Sequence, residues 1–186
     1  MRCAVVGEKN GEWYIAATGA KGSFKPDEII KTCISVGEEA DSYVVALNPN
    51  VVAGFEHIVV ACEHAVRAWD RGNKISKYLE VEVQLYLVGS REIKKVLRMT
   101  KPRGENCVLI ALSREKGKAA SSIEAVLSRL DLEEDETIME PDEKRALSLV
   151  KLLKIPEEAI SIAGKEDIIG VVKRLVASRA VSLSLS

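Results

Sequence analysis

Residues 54–71 read GFEHIVVACEHAVRAWDR, and the apolar side chains in this stretch recur at the three- and four-residue spacing of an α-helix. At about 100° per residue they gather on one side, which is the pattern of a helix packed on a hydrophobic core. The residues on this side are Phe55, Ile58, Val59, Cys62, Val66 and Trp69. A helix from about Gly54 to Arg71 is therefore the clearest element that the sequence predicts.

The opposite side of the same helix carries small residues and two histidines. It comprises His57, Ala61, His64, Ala68 and Arg71, with Ala65 beside them. A helix that faced only water would normally carry Lys and Glu in these positions, so we expect something to pack there. The pattern leaves three occupants open: another helix of the same chain, a protein partner or a nucleic-acid end.

Around this helix, the other apolar runs predict an α/β fold, with a small mixed or antiparallel sheet packed with helices in a single domain over residues 1–186. The predicted strands are Arg2–Val6, Trp13–Ala17, Tyr43–Leu47, Val81–Val88 and Cys107–Leu112. An Asn-Gly pair at residues 10–11 predicts a hairpin turn between the first two strands. The run 81–88 alternates and then becomes continuously apolar, which favours a strand near the middle of the sheet.

Prolines and polar capping residues predict where the other helices begin. These helices are Pro26 to about Val36, Arg91–Met99, Ser121 or Ser122 to about Leu130, Pro141–Leu153, Pro156–Ala163 and about Lys165–Ser178. The last helix has a wider apolar stripe than one core contact requires, formed by Ile168, Ile169, Val171, Val172, Leu175 and Val176. Such a stripe indicates either simple burial or one edge that meets a partner.

Composition narrows the class of protein. Hydrophobic residues make up 47% and charged residues 30% of the chain, which argues against intrinsic disorder. Aromatic residues make up only 4%, so base stacking is not expected as the main mode of nucleic-acid binding. With no signal peptide and no apolar run of about 20 residues, we expect a soluble, cytoplasmic protein that makes no membrane contact. The four cysteines stand singly and are expected to be buried, reduced thiols.

Charge is unevenly distributed, although the formal net charge is only −1. Residues 71–103 hold nine basic side chains against the three acids Glu80, Glu82 and Glu92. A local basic patch can bind phosphate chains by releasing counterions even on a neutral protein. The alternative is a solvated face that happens to be basic. The nine basic residues are Arg71, Lys74, Lys77, Arg91, Lys94, Lys95, Arg98, Lys101 and Arg103.

No catalytic pattern stands out in the sequence. The stretch Gly19–Ser23 is too short for a phosphate-binding loop, and no Gly-x-Ser-x-Gly elbow is present. His57 and His64 are seven residues apart, whereas two ligands of one metal on a helix favour a spacing of four. We therefore predict a protein that is not an enzyme and that uses no cofactor, metal or small-molecule substrate.

Between Asn48 and Leu112 several short motifs follow one another in a specific order. Asn48-Pro49 precedes a helix with His57, Ala61 and Ala65 spaced by four, followed by Arg67-Ala68-Trp69, a connection over residues 72–77, the run 81–88 and Gly89-Ser90-Arg91-Glu92-Ile93. In this order the motifs resemble the small subunit of the KEOPS complex, the TPRKB family of kinase-binding proteins. The resemblance covers about a third of the chain.

The resemblance implies a small sheet packed with helices and a role without catalysis. KEOPS installs the threonylcarbamoyl group on the adenosine beside the anticodon, and the chemistry belongs to another subunit. The resembled family holds tRNA, through the single-stranded 3′ CCA end in archaeal members. It also binds the N-lobe of the kinase/ATPase subunit.

On this basis we assign candidate residues to two surfaces. The RNA-binding residues are His57, His64, Arg71, Lys74, Lys77, Arg91 and Lys95. The kinase-binding residues are Ile168, Ile169, Val172, Leu175 and Val176. Two alternatives stay open: a small stand-alone α/β enzyme whose site combines His57, Lys74 and Arg91, and a protein-interaction module whose basic stretch meets acidic partners.

Overall fold

A computed structural model describes residues 1–8, 11–156 and 168–185. Its strands are β1 (Arg2–Glu8), β2 (Gly11–Lys21), β3 (Tyr43–Leu47), β4 (Asn106–Ser113) and the two-residue β5 (Glu133–Glu134). They form one antiparallel sheet in the order β1-β2-β4-β3, and β5 pairs with the end of β2. Strand β3 therefore forms one edge of the sheet.

Helices account for most of the remaining elements. They are α1 (Pro26–Ala40), α2 (Phe55–Asp70), α3 (Leu79–Val88), α4 (Ile93–Thr100), α5 (Lys118–Arg129), α6 (Glu143–Leu152) and α7 (Ile168–Leu185), with short 3₁₀ turns at Pro49–Val51 and Glu136–Met139. The α/β class with a small antiparallel sheet is confirmed. The predicted helix Pro156–Ala163 lies almost entirely outside the described residues. No described helix combines the length and the apolarity that crossing a membrane requires.

Helices cover both faces of the sheet. Successive residues of a strand point to opposite faces, so each strand contributes side chains to a cluster on either side. One cluster, which we call core A, takes Val45 and Leu47 from β3 and packs them with side chains of α2, α3, α6 and α7. The other cluster, core B, takes Val44 and Ala46 from the same strand and packs them with α1 and α5. In core A, the long helix α2 is therefore covered by other helices of the same chain.

The prediction of a central strand over residues 81–88 is wrong, because Leu79–Val88 is the helix α3. The helix lies within core A and is buried on nearly every side, so its sequence lacks the 3.6-residue alternation of a surface helix. Glu80 and Glu82 in its first turn favour the helix through the helix dipole. Gly89 then ends it in the left-handed conformation, at φ +65°.

The cysteines follow their prediction with one exception. Cys33, Cys62 and Cys107 are buried free thiols, whereas Cys3 on the edge strand β1 is exposed. Burial raises the pKa of Cys33 and of Cys107 to about 12, so both thiols are protonated at neutral pH.

Candidate nucleic-acid interface

His57 lies inside the protein and not on a binding surface. Only 1% of the residue is exposed. The Ala53 N–H donates to Nδ1 over 3.2 Å, and Nε2 donates to the Leu87 carbonyl oxygen over 3.0 Å. Burial lowers the pKa of His57 to about 4, although the bond to Leu87 acts in the opposite direction, so the ring is neutral at physiological pH. The prediction of His57 as an RNA-binding residue is therefore wrong.

His64 is also a packing residue. It is 8% exposed, and its ring stacks on that of Tyr86 in α3 with the centroids 5.9 Å apart. Burial, followed by the nearby Arg67 guanidinium, lowers the pKa of His64, so the neutral ring is favoured. The same burial leaves little of this side chain for contact with RNA, so the prediction of His64 as an RNA-binding residue is corrected too.

The small residues of α2 explain why both histidines are buried. Ala61 and Ala65 are fully buried, and α2 packs on α3 and on α7. Small side chains let these helices approach closely, while the imidazole rings fill the spaces beside them. Of the three occupants that the sequence left open for this side of α2, the structure has another helix of the same chain.

The segment that links α2 to α3, residues 71–77, carries three predicted cations, and we call it the basic connection. Its shape is fixed by Glu82, a fully buried side chain of α3. The Glu82 carboxylate accepts from the Ile75 N–H over 3.1 Å at each oxygen and from the Ser76 N–H over 2.8 Å. Charge-assisted bonds to backbone amides are strong, so Glu82 holds the connection in one conformation.

Sequence reasoning missed Glu82, although a signal was available. An acid in the first turn of a helix, directly after a polar connection, can bond to amides of that connection. The prediction of a strand over residues 81–88 hid this signal, because a strand has no such first turn.

The cations of the basic connection face solvent. Arg71, Lys74 and Lys77 are all exposed. The Lys74 ammonium lies 3.8 Å from the centroid of the Trp69 ring, and it covers one face of that ring. Within the described part of the chain, Lys77 makes no ion pair. These three side chains are placed where phosphate groups can reach them.

Arg91 and Lys95 lie beyond the opposite end of α3. Arg91 is exposed, and its Nη2 donates to the Leu183 carbonyl of α7 over 3.4 Å. Lys95 is half-buried and pairs with Glu92 at 3.2 Å. The amphipathic helix α4 also exposes two cations that the assignment of site residues omitted, Lys94 and Arg98.

The basic residues therefore form two groups and not one patch. Helix α3 has ten residues, so its ends, which carry the basic connection and Arg91, are about 15 Å apart. The alternative enzyme site needs His57, Lys74 and Arg91 together, and the structure does not bring them together. Among the described residues, no three His, Cys, Asp or Glu side chains lie close enough to hold a metal ion.

Helix α7 is buried more completely than a docking helix would be. Val172 and Val176 have no exposed surface and belong to core A, so these two predicted kinase-binding residues are unavailable to a partner. Ile168, Ile169 and Leu175 are half-buried and pack on the rim of the same core. The wide stripe arises because α7 packs on α2, α3 and α6 at once.

The site is thus a charged surface on the helical layer above the sheet. Buried polar side chains shape its framework, while cations project from the basic connection and from α4. No protein-family model matches this chain, and no curated protein matches it significantly either.

Proposed function

We propose that this chain is a non-catalytic, tRNA-binding scaffold subunit like the small subunit of KEOPS, holding the 3′ CCA end of tRNA and docking a kinase/ATPase subunit. The resemblance of residues 48–112 to the TPRKB family suggests these partners. The RNA part of the proposal is carried by one observation, the charge that residues 71–103 present to solvent.

Of the three acids of this segment, Glu92 forms an ion pair with one of the nine basic residues at the surface, whereas the other two are withdrawn from solvent. Glu82 is buried and bound by backbone amides, and Glu92 is engaged by Lys95. Glu80 is half-buried, and burial raises its pKa, which favours the protonated, neutral form of this acid. The surface of this segment therefore stays basic, although Lys95 pairs with Glu92 and Lys101 pairs with Asp27. A local positive potential of this kind attracts phosphates whatever the net charge of the protein.

The two groups of cations suit a nucleic-acid strand better than a small anion. A single anion needs donors that converge on one point, whereas these groups are about 15 Å apart along α3. A single strand offers phosphates at successive positions and leaves its bases free for hydrogen bonds. The scarcity of exposed aromatic rings is compatible with contacts to phosphate and ribose.

The kinase part of the proposal rests on a smaller surface than the sequence suggested. With Val172 and Val176 buried, the half-buried Ile168, Ile169 and Leu175 remain as its apolar residues. Apolar side chains at the rim of a core can be shared with a partner, which would complete their burial.

Binding to tRNA with and without its terminal CCA tests the RNA part. We expect removal of CCA to raise the Kd about tenfold or more, and the affinity to fall steeply with salt. The variant Lys74→Glu/Lys77→Glu should weaken binding about a hundredfold at low salt and reduce the salt slope by about two. Arg91→Glu is measured separately, because Arg91 also bonds to α7.

The matched control is Lys144→Glu/Lys151→Glu, which makes the same change of charge at exposed positions of α6. The control should bind tRNA almost as well as the wild type. Equal losses in the two variants, or full affinity in a folded Lys74→Glu/Lys77→Glu variant, would overturn the assignment of the basic connection. Kinase association without any RNA affinity would favour the protein-interaction module.

A further inference from the structure

A groove of about 660 Å³ runs along the outer edge of β3. Its walls come from α1, α3 and α4, and residues 43–46 of β3 line it from below. Three large apolar side chains stand at the groove with much of their surface in solvent: Ile34 is 50%, Tyr78 is 67% and Leu97 is 40% exposed. Exposed apolar side chains around one concavity are typical of a binding site.

The backbone of β3 presents hydrogen-bonding groups to this groove. The inner edge of β3 pairs with β4, and no strand within the described ranges pairs with the outer edge. Just after β3, the Asn48 N–H donates over 2.8 Å to the carbonyl oxygen of Thr100, a residue of the groove wall. Because backbone groups alternate in direction along a strand, Val44 and Ala46 direct theirs to the same outer side as Asn48.

Only a short length of the outer edge lacks a backbone partner within the described ranges. Before β3, the Ser42 N–H donates to the Gly37 carbonyl of α1 over 2.9 Å, so α1 closes one end as Thr100 closes the other. Val44 and Ala46, between these ends, are nearly buried. Buried backbone groups are almost always paired in proteins, and an unpaired strand edge is a template for another strand.

The charges around the groove select its occupant. Glu38, Asp41 and Glu80 line it. The one cation among the described lining residues, Lys101, already pairs with Asp27 at 2.8 Å. The exposed carboxylates of Glu38 and Asp41 repel phosphate groups and attract a basic side chain, so the groove disfavours RNA and favours a Lys or Arg.

We propose that this groove binds an extended peptide segment of a partner protein by strand addition to β3. The peptide bonds to the backbone of Val44 and Ala46, places apolar side chains between Ile34 and Leu97, and sets a basic residue beside the carboxylates. Main-chain bonds supply affinity in this mode, and pockets for alternate side chains supply specificity. The groove is a further interaction site, because none of the predicted RNA-binding or kinase-binding residues lines it.

Selection of displayed random dodecapeptides on the full chain tests the proposal, with the variant Ile34→Lys/Leu97→Lys as the counter-target. Both positions are exposed, so we expect this variant to fold. Leu147→Lys is the matched control, since Leu147 is a similarly exposed residue of α6. Peptides should be enriched on the wild type and on the control but not on the double variant. They should carry apolar residues at alternate positions and a basic residue near one end.

Amide hydrogen exchange provides a test that does not depend on the variants. An enriched peptide should slow exchange of the Val44 and Ala46 amides about tenfold or more. N-methylation can block either of the two sets of alternate amides in the peptide. Only one of these sets faces β3, so methylation of that set alone should remove the protection. Failure to enrich peptides, enrichment of acidic peptides, or unchanged exchange would overturn the proposal. Protection of the same amides by an oligonucleotide ending in CCA, with no effect of peptide, would assign the groove to RNA instead.

Discussion

Two groups of polar side chains that the sequence placed on one RNA-binding surface occupy opposite environments. His57 and His64 lie between α2 and α3, whereas Lys74 and Lys77 project from the basic connection that follows. The difference follows from how easily each side chain loses its charge. An imidazole becomes neutral near pH 6.5, whereas a lysine would have to give up a proton whose pKa is above about 10. A histidine among small residues can therefore belong to the core, while a lysine in the same stretch marks the surface.

The largest expected loss of stability comes from placing a charge on the buried side of α7. Val172→Glu puts a carboxylate in core A and should lower the free energy of unfolding by about 4 kcal/mol or more. Ile169→Glu, at a half-buried position, should cost about 1 kcal/mol and should weaken association with the kinase if the partner docks there. Denaturant titration and a binding assay measure the two effects. Equal destabilisation by the two variants would contradict the partial exposure of Ile169.

A somewhat smaller loss is expected at the buried acid that shapes the basic connection. Glu82→Ala leaves the Ile75 and Ser76 amides without their acceptor and should lower the free energy of unfolding by about 3 kcal/mol. Its tRNA affinity should also fall, because Lys74 and Lys77 lose their fixed positions. The control Glu92→Ala removes an exposed acid and should change stability by less than about 0.5 kcal/mol. Similar effects of the two substitutions would show that the connection does not depend on Glu82.

The neutral state of His57 predicts a pH dependence of stability. Because its folded-state pKa is about 4, below the unfolded value near 6.5, its contribution is fully present above pH 6.5 and is lost as the pH falls towards 4. The loss by pH 5 should be about 2 kcal/mol relative to pH 7. The comparison is made with His57→Gln, which keeps a donor for the Leu87 carbonyl and does not titrate. A wild-type curve that runs parallel to that of His57→Gln would contradict this account.

The smallest expected effect concerns the exposed lysines. Lys74→Ala removes the contact with the Trp69 ring and should cost about 0.5 kcal/mol of unfolding free energy. Lys77→Ala has no such contact and should leave the midpoint of thermal unfolding unchanged. Both variants should nevertheless bind tRNA less tightly than the wild type. A large loss of stability in Lys77→Ala would mean that this cation serves the fold.

Most of the fold could be predicted from local pattern. The hairpin of β1 and β2, the edge strand β3 and the helix α2 follow directly from alternation, turn residues and helical spacing. Helix α3 could not be predicted in this way, because a short helix surrounded by core presents a continuous apolar run that looks like a central strand. Gly89 at its end and the two acids at its start were the signals that favoured a helix.

The candidate site was less predictable than the fold. Spacing along α2 correctly placed His57 and His64 on one side, but it could not show that α3 and α7 cover that side. Burial of Val172 and Val176 likewise depends on three helices that meet α7 from different parts of the chain. The exposure of the basic connection could be predicted, since lysines are almost never fully buried unless they are paired.

The division of the interior into core A and core B also sets an order for folding during synthesis. Every buried side chain of core B lies between Ala16 and Leu132, and strands β1–β4 end at Ser113, so that layer can close while the rest of the chain is still being made. Core A extends to Leu183, so the side of α2 that α7 covers stays exposed until α7 has been synthesised. Until then, a nascent chain presents that surface to chaperones and to neighbouring chains. A premature stop codon between residues 133 and 168 would consequently yield a product in which core B is complete, while core A is incomplete and prone to aggregation.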